Sequence, residues 1–307
     1  MSRAVSTCVM LLSDKSSGST ALQDELAKHP AVNLVKATMH NENETLYWNK
    51  AAAVLGLPQV NMLNSQLPIG QRRAKRELIE FLKANLGPFN PLADDERLVF
   101  EGWRKLCRHY GPIFLEKSPH HLHYWSALKL IAECGARYPE INFKFCGLVR
   151  NPVATLYSMW KRWQAVPEQQ QYEWLRAYKN LLRFKSLVGD RLQIVRYEDL
   201  VNDRQTIKQL CDFAGIEWIP TIGQGLRTSS VRRWRQDKMF GFQPSPEITH
   251  LSRELGYTNA ELSADKRIAW PMYREVTRAA HQGARLLRPL KRTVKDVLHG
   301  SIKLRVL

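Results

Sequence analysis

Five short stretches of this sequence carry side chains suited to gripping anions or moving a proton. The first is SDKSSGST, residues 13–20, set between the apolar run CVMLL and the amphipathic stretch ALQDELAKH. Lys15 brings a full charge, Ser16, Ser17, Ser19 and Thr20 bring hydroxyls, and Gly18 lets the backbone approach an oxygen closely. At the start of a helix, such a loop adds free backbone N–H groups and the positive end of the helix dipole, which together cradle an anion. The triphosphatase pattern G-x-x-x-x-G-K-[ST] is absent, because Ser19 and Thr20 follow Gly18 with no lysine between. A serine-rich turn with a helix cap at Ser19 is the plainer alternative.

The second stretch, FCGLVRNPVATLYSMW, puts Arg150 directly after an apolar run and Ser158 eight residues later. Pro152 suits the first turn of a helix, where its missing N–H costs nothing. An arginine fork and a hydroxyl at this separation can hold one dianionic phosphate. Third, IFLEKSPHHL ends an apolar run with Glu116, Lys117 and Ser118, and a lysine so placed is expected to point into a cleft. Fourth, NENETLYWN sets Glu44 beside Tyr47 and Trp48; a carboxylate against an apolar wall has its pKa raised towards the range of a general base. Fifth, SSVRRWRQD supplies Arg232, Arg233 and Arg235 around Trp234, charge for a phosphate and a ring for a base to stack on. Each has an ordinary structural alternative: a strand-end charge pair, a helix-capping glutamate, a cation–π patch.

These residues need a frame that brings them together. Apolar runs at Ser6–Leu12, Val32–Ala37, Ile113–Glu116, Phe143–Val149 and Leu192–Arg196 are predicted strands. Helical spacing appears near residues 20–28, 72–85, 122–137, 153–163, 170–187 and 204–215. Strands alternating with helices predict a three-layer α/β/α fold with a central, mostly parallel sheet, and such sheets bind ligands at the carboxyl ends of their strands. The chemistry-bearing stretches fall at those ends.

The 307 residues suffice for one large α/β domain, expected over residues 1–270. The remainder, 271–307, reads as a basic helical extension with Leu290, Val294, Val297 and Leu298 on one face and a break at Pro289. Docking on the core is the favoured role for it, with membrane-surface contact or binding of an acidic substrate as the alternative. A net charge of +17 favours anionic partners without choosing among them. Cys8, Cys107, Cys134, Cys146 and Cys211 form neither a C-x-x-C pair nor a zinc pattern, so a reducing, cytoplasmic setting is expected. No run of eighteen apolar residues and no secretory leader is evident.

In this order the stretches resemble the sulfotransferase family that uses 3′-phosphoadenosine 5′-phosphosulfate, in motif style nearest its carbohydrate (heparan-type) and bacterial branches. The resemblance spans roughly residues 6–240. SDKSSGSTALQDELAKHP is similar to the family's 5′-phosphosulfate loop, GLVRNPVATLYSMW to its 3′-phosphate motif, and LEKSPHHL to its E-K-[ST]-P segment. ENETLYW resembles the E-x-x-[FY]-[FW] segment of the carbohydrate branch, VRYEDLVND the Y-E-D-L segment, whose part looks structural, and VRRW the late nucleotide-binding loop. The resemblance implies a P-loop-like fold and no metal. Lys15, Ser16, Ser17, Gly18, Ser19, Thr20, Arg150, Ser158, Arg232 and Arg233 are then donor-binding, with Glu44 the base. Lys117 and Lys15 lie near the sulfuryl group. Three departures stand out: the family's loop lysine or arginine aligns with Ser16 while Lys15 sits one place earlier, Val231 and Ser230 replace a glycine and a lysine, and Ala154 and Thr155 stand where many relatives carry a basic residue. Which of Lys15 and Lys117 assists the leaving group stays open.

A phosphosulfate ends in a monoanion, so less charge must be neutralised than on a γ-phosphoryl group and magnesium is not demanded. The expected reaction moves a sulfuryl group to an acceptor hydroxyl, on a carbohydrate or glycoconjugate and possibly anionic, releasing adenosine 3′,5′-bisphosphate. His40, His120, His121 and His123 are candidates for a second proton-transfer group. Two other classes remain: a P-loop phosphotransferase using ATP and magnesium, and a basic nucleic-acid-binding protein. The second needs a charged stripe, and the basic residues are spread along the chain.

Overall fold

The computed structural model describes residues 6–63, 65–90, 94–263 and 267–283. In chain order the elements are β1 (Ser6–Ser13), α1 (Ser19–Leu26), β2 (Val32–Asn33), α2 (Tyr47–Val54), α3 (Gln71–Leu86), α4 (Asp95–His109), β3 (Ile113–Lys117), α5 (Trp125–Arg137), β4 (Ile141–Val149), α6 (Pro152–Trp163), α7 (Pro167–Val188), β5 (Leu192–Arg196), α8 (Tyr197–Asn202), α9 (Arg204–Ala214), α10 (Arg233–Gln236), α11 (Pro246–Glu254) and α12 (Asn259–Leu262). Residues 270–283 form a further helix. Leu290, Val294, Val297, Leu298 and Pro289 lie outside the described residues.

The five strands form one sheet in the order β2-β3-β1-β4-β5, and every pairing is parallel. Alternation along β1 divides the core: Cys8, Met10 and Leu12 join a cluster with α2, α3, α4, α5 and α7, whereas Val9 and Leu11 face α1 and α9. This gives the three α/β/α layers, each apolar face of the sheet covered by helices. A third cluster gathers Trp160 of α6, Trp234 of α10, Phe240, Phe242 and Trp270.

The β2 strand is much shorter than the apolar run Val32–Ala37 predicts. Past Asn33 the chain leaves the sheet edge and its amides find side-chain acceptors instead. Lys36 and Ala37 N–H both donate to Asn85 Oδ1 at 3.1 Å, and Asn85 Nδ2 returns a bond to the Ala37 carbonyl at 2.8 Å. One asparagine of α3 thus replaces the missing strand neighbour. The α2 and α4 helices were not anticipated; both pack an aromatic cluster in which Tyr47, Trp48 and Trp103 rings lie 4.7–5.3 Å apart.

The chain leaves β1 towards β3 on one side and reaches β4 on the other, so the strand order reverses there. Register aligns Leu11 with Lys117 and Ser13 with Leu148. The loop after β1, the end of β3 and Arg150 after β4 therefore meet at one edge, the crevice where such sheets hold ligands.

Candidate active site

The loop after β1 turns on two left-handed residues, Ser16 (φ 59°) and Gly18 (φ 91°). A Cβ on Gly18 would stand 2.3 Å from Tyr197 Cε2, far inside van der Waals contact, so only glycine fits. Gly18 occupies the cap position of α1, no side chain caps that helix, and its first N–H groups are left for a ligand. The plainer alternative, a cap at Ser19, is therefore not formed. By contrast Asn151 caps α6, accepting from Val153 and Ala154 N–H with Pro152 in the first turn.

Below the loop lies a polar support. Asp14 Oδ1 accepts the Lys15 N–H at 2.7 Å and meets His123 Nε2 at 2.9 Å. The Ser17 hydroxyl points inward to Tyr178 Oη, 2.9 Å away, and Tyr178 Oη in turn donates to the Leu148 carbonyl at 3.1 Å. Ser17 thus contributes its backbone to the cradle and its hydroxyl to the support, which differs from a ligand-facing role. Burial pushes the Tyr178 phenol well up, so it stays a neutral hydrogen-bonding group.

Arg150 joins the two halves of the site. Its guanidinium donates to the Ser16 carbonyl at 2.9 Å and to the Ser230 carbonyl at 2.8 Å, and lies 4.9 Å from the centre of the Tyr197 ring. Burial lowers its pKa, yet a guanidinium remains a cation. The Glu198 carboxylate fixes the junction behind it, accepting from Asn151 N–H at 3.1 Å and from Tyr257 Oη at 2.7 Å. The Y-E-D-L segment therefore builds the wall of the site.

Lys117 is fully buried at the end of β3. Its ammonium donates to Thr20 Oγ1 at 3.2 Å, to the Glu42 carbonyl at 2.8 Å and to Glu44 Oε1 at 3.3 Å. It ties the cradle directly to the carboxylate proposed as base. Lys15 points elsewhere: its Nζ donates to the Leu63 carbonyl at 3.0 Å and lies 3.9 Å from Glu173.

Glu44 has surroundings unlike those expected. Tyr47 and Trp48 turn into the core and form no wall for its carboxylate. Burial raises the Glu44 pKa, but His120, with Nδ1 3.5 Å from Oε2, and the Lys117 charge outweigh it, and the net shift is downward. A raised pKa in the ligand-free protein is thereby corrected. The segment is pinned by Ser118 Oγ, which accepts from Thr45 and Leu46 N–H at 3.0 Å each and donates to buried Glu116 at 2.6 Å. Thr45 Oγ1 also donates to Glu116, at 2.7 Å, and His121 approaches the same carboxylate at 3.3 Å. Burial pushes Glu116 up; the His121 charge and these bonds reverse the sign and hold it below the usual range.

A cavity of about 990 Å³ is lined by Lys15, Ser16, Gly18, Ser19, Thr20, Glu44, His120, Arg150 and Ser158 together. Of the four candidate histidines, His40 and His120 also line it, and burial lowers both pKa values, that of His40 to about 4. His121 and His123 are buried in the two supports. Arg232 lines an adjoining cavity of about 700 Å³ and Arg233 lines neither. Trp234 is largely buried with Trp160 and Phe240 in the third core cluster, with the Arg235 guanidinium 4.9 Å from its ring centre, and its remaining edge lines the smaller cavity beside Arg232. Sequence reading missed Glu42, whose carboxylate accepts from Thr20 Oγ1 at 3.0 Å and from Arg162, spanning the cavity mouth. It also missed Glu173 beneath Lys15; neither has a sequence signal, since both act across long separations.

Among the described residues no group of three or more His, Cys, Asp or Glu side chains is placed to hold a metal, and no helix is long and apolar enough to cross a membrane. The model of the family described as "Sulfotransferase family" matches residues 9–220. No curated protein matches the sequence significantly. Among solved structures, the sulfotransferase domain of the olefin synthase of Synechococcus PCC 7002 is similar at 19% identity and TM-score 0.56, covering 82% of this chain and 95% of its own. A sulfotransferase from Alicyclobacillus acidocaldarius follows at 15% identity, TM-score 0.45, and 88% and 100% coverage. With the family match extending from the cradle of β1 through β3, Arg150 and the Y-E-D-L wall, this chain belongs to the sulfotransferase family.

Proposed function

We propose that the chain binds 3′-phosphoadenosine 5′-phosphosulfate in the larger cavity and transfers its sulfuryl group to an acceptor hydroxyl beside Glu44. The observation that carries this reading is the convergence of an uncapped helix start, Arg150 with Ser158, and a base-bearing segment on one cavity. The residues fit the donor. Ser16 Oγ and Arg150 Nε are buried without a hydrogen-bond partner, so two polar atoms of the lining await oxygens.

When bound, the donor supplies a sulfuryl group on a phosphosulfate anhydride. The acceptor oxygen gains the bond to sulfur, the bridging S–O bond breaks, and the electron pair leaves with adenosine 3′,5′-bisphosphate. Glu44 takes the hydroxyl proton. The backbone N–H groups at residues 18–20 and the Lys117 ammonium oppose charge growing on the departing phosphate. Arg150 and Ser158 hold the 3′-phosphate, which separates this donor from ATP. Lys117 is favoured over Lys15 beside the leaving group, because its ammonium already touches both Thr20 and Glu44. Arg232 supports the nucleotide from the adjoining wall.

The expected sugar acceptor rests on the Glu44 segment alone. Five free, buried cysteines support a reducing, cytoplasmic setting. Calorimetry with adenosine 3′,5′-bisphosphate against ATP and magnesium tests the reading: tight binding of the bisphosphate and none of ATP is expected. The reverse preference makes the chain a phosphotransferase in activity.

A further inference from the structure

We propose that the acceptor is a hydrophobic alcohol, its hydroxyl at Glu44 and its alkyl or aryl body on an apolar wall formed by Met39, Leu63, Trp163 and Ala165. The inference rests on reading the cavity as a sulfuryl-transfer site and adds the chemistry of its second substrate.

These four residues line the same cavity as Glu44 and His120. Met39 is 53% exposed and Leu63 41% exposed, two of the few large apolar side chains left in water among the described residues. Exposed apolar side chains scattered singly mean little, but two facing one functional cavity mark a binding surface.

Both are borne on fixed backbone. The Leu63 N–H donates to Glu173 Oε1 at 2.6 Å, and its carbonyl accepts from Lys15 at 3.0 Å, so the peptide is clamped on both sides while the side chain faces the cavity. Met39 stands in a turn closed by Thr38 Oγ1, which donates to the Glu44 carbonyl and accepts the His40 N–H at 3.2 Å. The turn that presents Met39 is thus bonded to the backbone of the residue that carries the base. A pre-ordered apolar wall loses little entropy on binding.

The charges on this side are matched. Lys15 lies against Glu173, and Arg162 pairs with Glu42. A sulfated or carboxylated glycan therefore finds both of these cations already paired, whereas the four apolar side chains gain by covering an alkyl or aryl body.

The test uses the full chain, radiolabelled donor, and 1-butanol, 1-hexanol, 1-octanol, glucosamine and a heparan tetrasaccharide as acceptors. Each added methylene should raise kcat/KM about two- to fourfold until the wall is covered. Leu63→Asn and Met39→Gln should flatten that rise through KM while bisphosphate affinity is unchanged. Calorimetry of 1-octanol against the enzyme–bisphosphate complex, independent of turnover, should show a negative heat-capacity change that Leu63→Asn diminishes. Transfer to the sugars with no chain-length dependence overturns the acceptor assignment and leaves the donor reading intact. Bisphosphate binding with transfer to none of the alcohols overturns it equally. Absence of both bisphosphate binding and transfer removes the sulfotransferase reading on which it stands.

Discussion

Replacing Gly18 by alanine tests the cradle at its tightest point. Two costs can be separated from the geometry. First, φ is 91°, a region that an L-residue enters at about 1–2 kcal/mol. Second, the new methyl would lie 2.3 Å from Tyr197 Cε2, where carbon atoms normally rest at about 3.5–4.0 Å. The ring must withdraw by more than an ångström, and with it go the 4.9 Å contact to Arg150 and the 3.1 Å bond to Ser230. Those contacts account for about 1–2 kcal/mol more. Gly18→Ala should therefore weaken bisphosphate binding by about 2–4 kcal/mol, roughly 30- to 1000-fold.

A double-mutant cycle isolates the second part. On a Tyr197→Ala background the clash is gone and only the backbone cost remains, so Gly18→Ala should then cost about 1–2 kcal/mol. Bisphosphate titration by calorimetry and urea unfolding of all four proteins give the coupling in binding and in stability. Strict additivity of the two substitutions refutes the claim that Tyr197 closes on the glycine turn. Wild-type bisphosphate affinity in Gly18→Ala would falsify the cradle.

Glu44→Gln should lower kcat by about 10²- to 10⁴-fold with bisphosphate affinity unchanged, as expected for loss of a general base; a mutant with full turnover removes Glu44 from that role. Lys117→Met should depress kcat more than Lys15→Met, whose main effect should be on acceptor KM through the Leu63 clamp; the opposite order assigns the leaving group to Lys15. Burial acts to raise Glu44, but His120 and Lys117 bring it below the ordinary 4.5, and a base works when ionised. Activity as kcat/KM should therefore persist on acidification until the pH passes below about 4.5, and Lys117→Met should move that acid limb upward. A limb that stays in place in Lys117→Met shows that the pair does not set the base.

The parts of the fold and site that sequence makes visible are those whose signal is local. The run before residue 13, the glycine turn and the helix after it lie within twenty residues, and the same holds for Arg150, Pro152 and Ser158. Period-2 and period-3.6 patterns report such units directly. What stays hidden is settled by distant partners. Trp234 reads as a stacking platform because arginines flank it, yet Trp160, Phe240 and Trp270 decide its burial. Tyr47 and Trp48 read as a wall for Glu44, but an intervening left-handed residue, Leu46 (φ 50°), turns them into the core. Ser17 looks like its serine neighbours until Tyr178, 161 positions away, claims its hydroxyl. Val32–Ala37 has strand composition throughout, but Asn85 ends the strand early by satisfying the same amides.

The arrangement of cations bears on which anion the proposed pocket would accept. Three cations of the site are already held in the ligand-free protein: Lys117 by Thr20, the Glu42 carbonyl and Glu44, Arg150 by the carbonyls of Ser16 and Ser230, Lys15 by Leu63 and Glu173. Neutral carbonyls fix where Arg150 points without cancelling its charge, so its remaining N–H donors, the unpartnered Nε among them, are held in place before any ligand arrives. Carboxylates do cancel charge, and they are placed on the two lysines rather than on the arginine. A ligand that carries much charge would have to pull both lysines from Glu44 and Glu173; one that ends in a monoanion need only share Lys117 with Glu44. Sharing Lys117 also weakens one of the two interactions that keep Glu44 acidic, the other being His120, so its pKa should rise at the stage when a proton must be accepted. The acid limb of kcat should accordingly lie above that of kcat/KM, because the first reports the donor-bound enzyme and the second the free one.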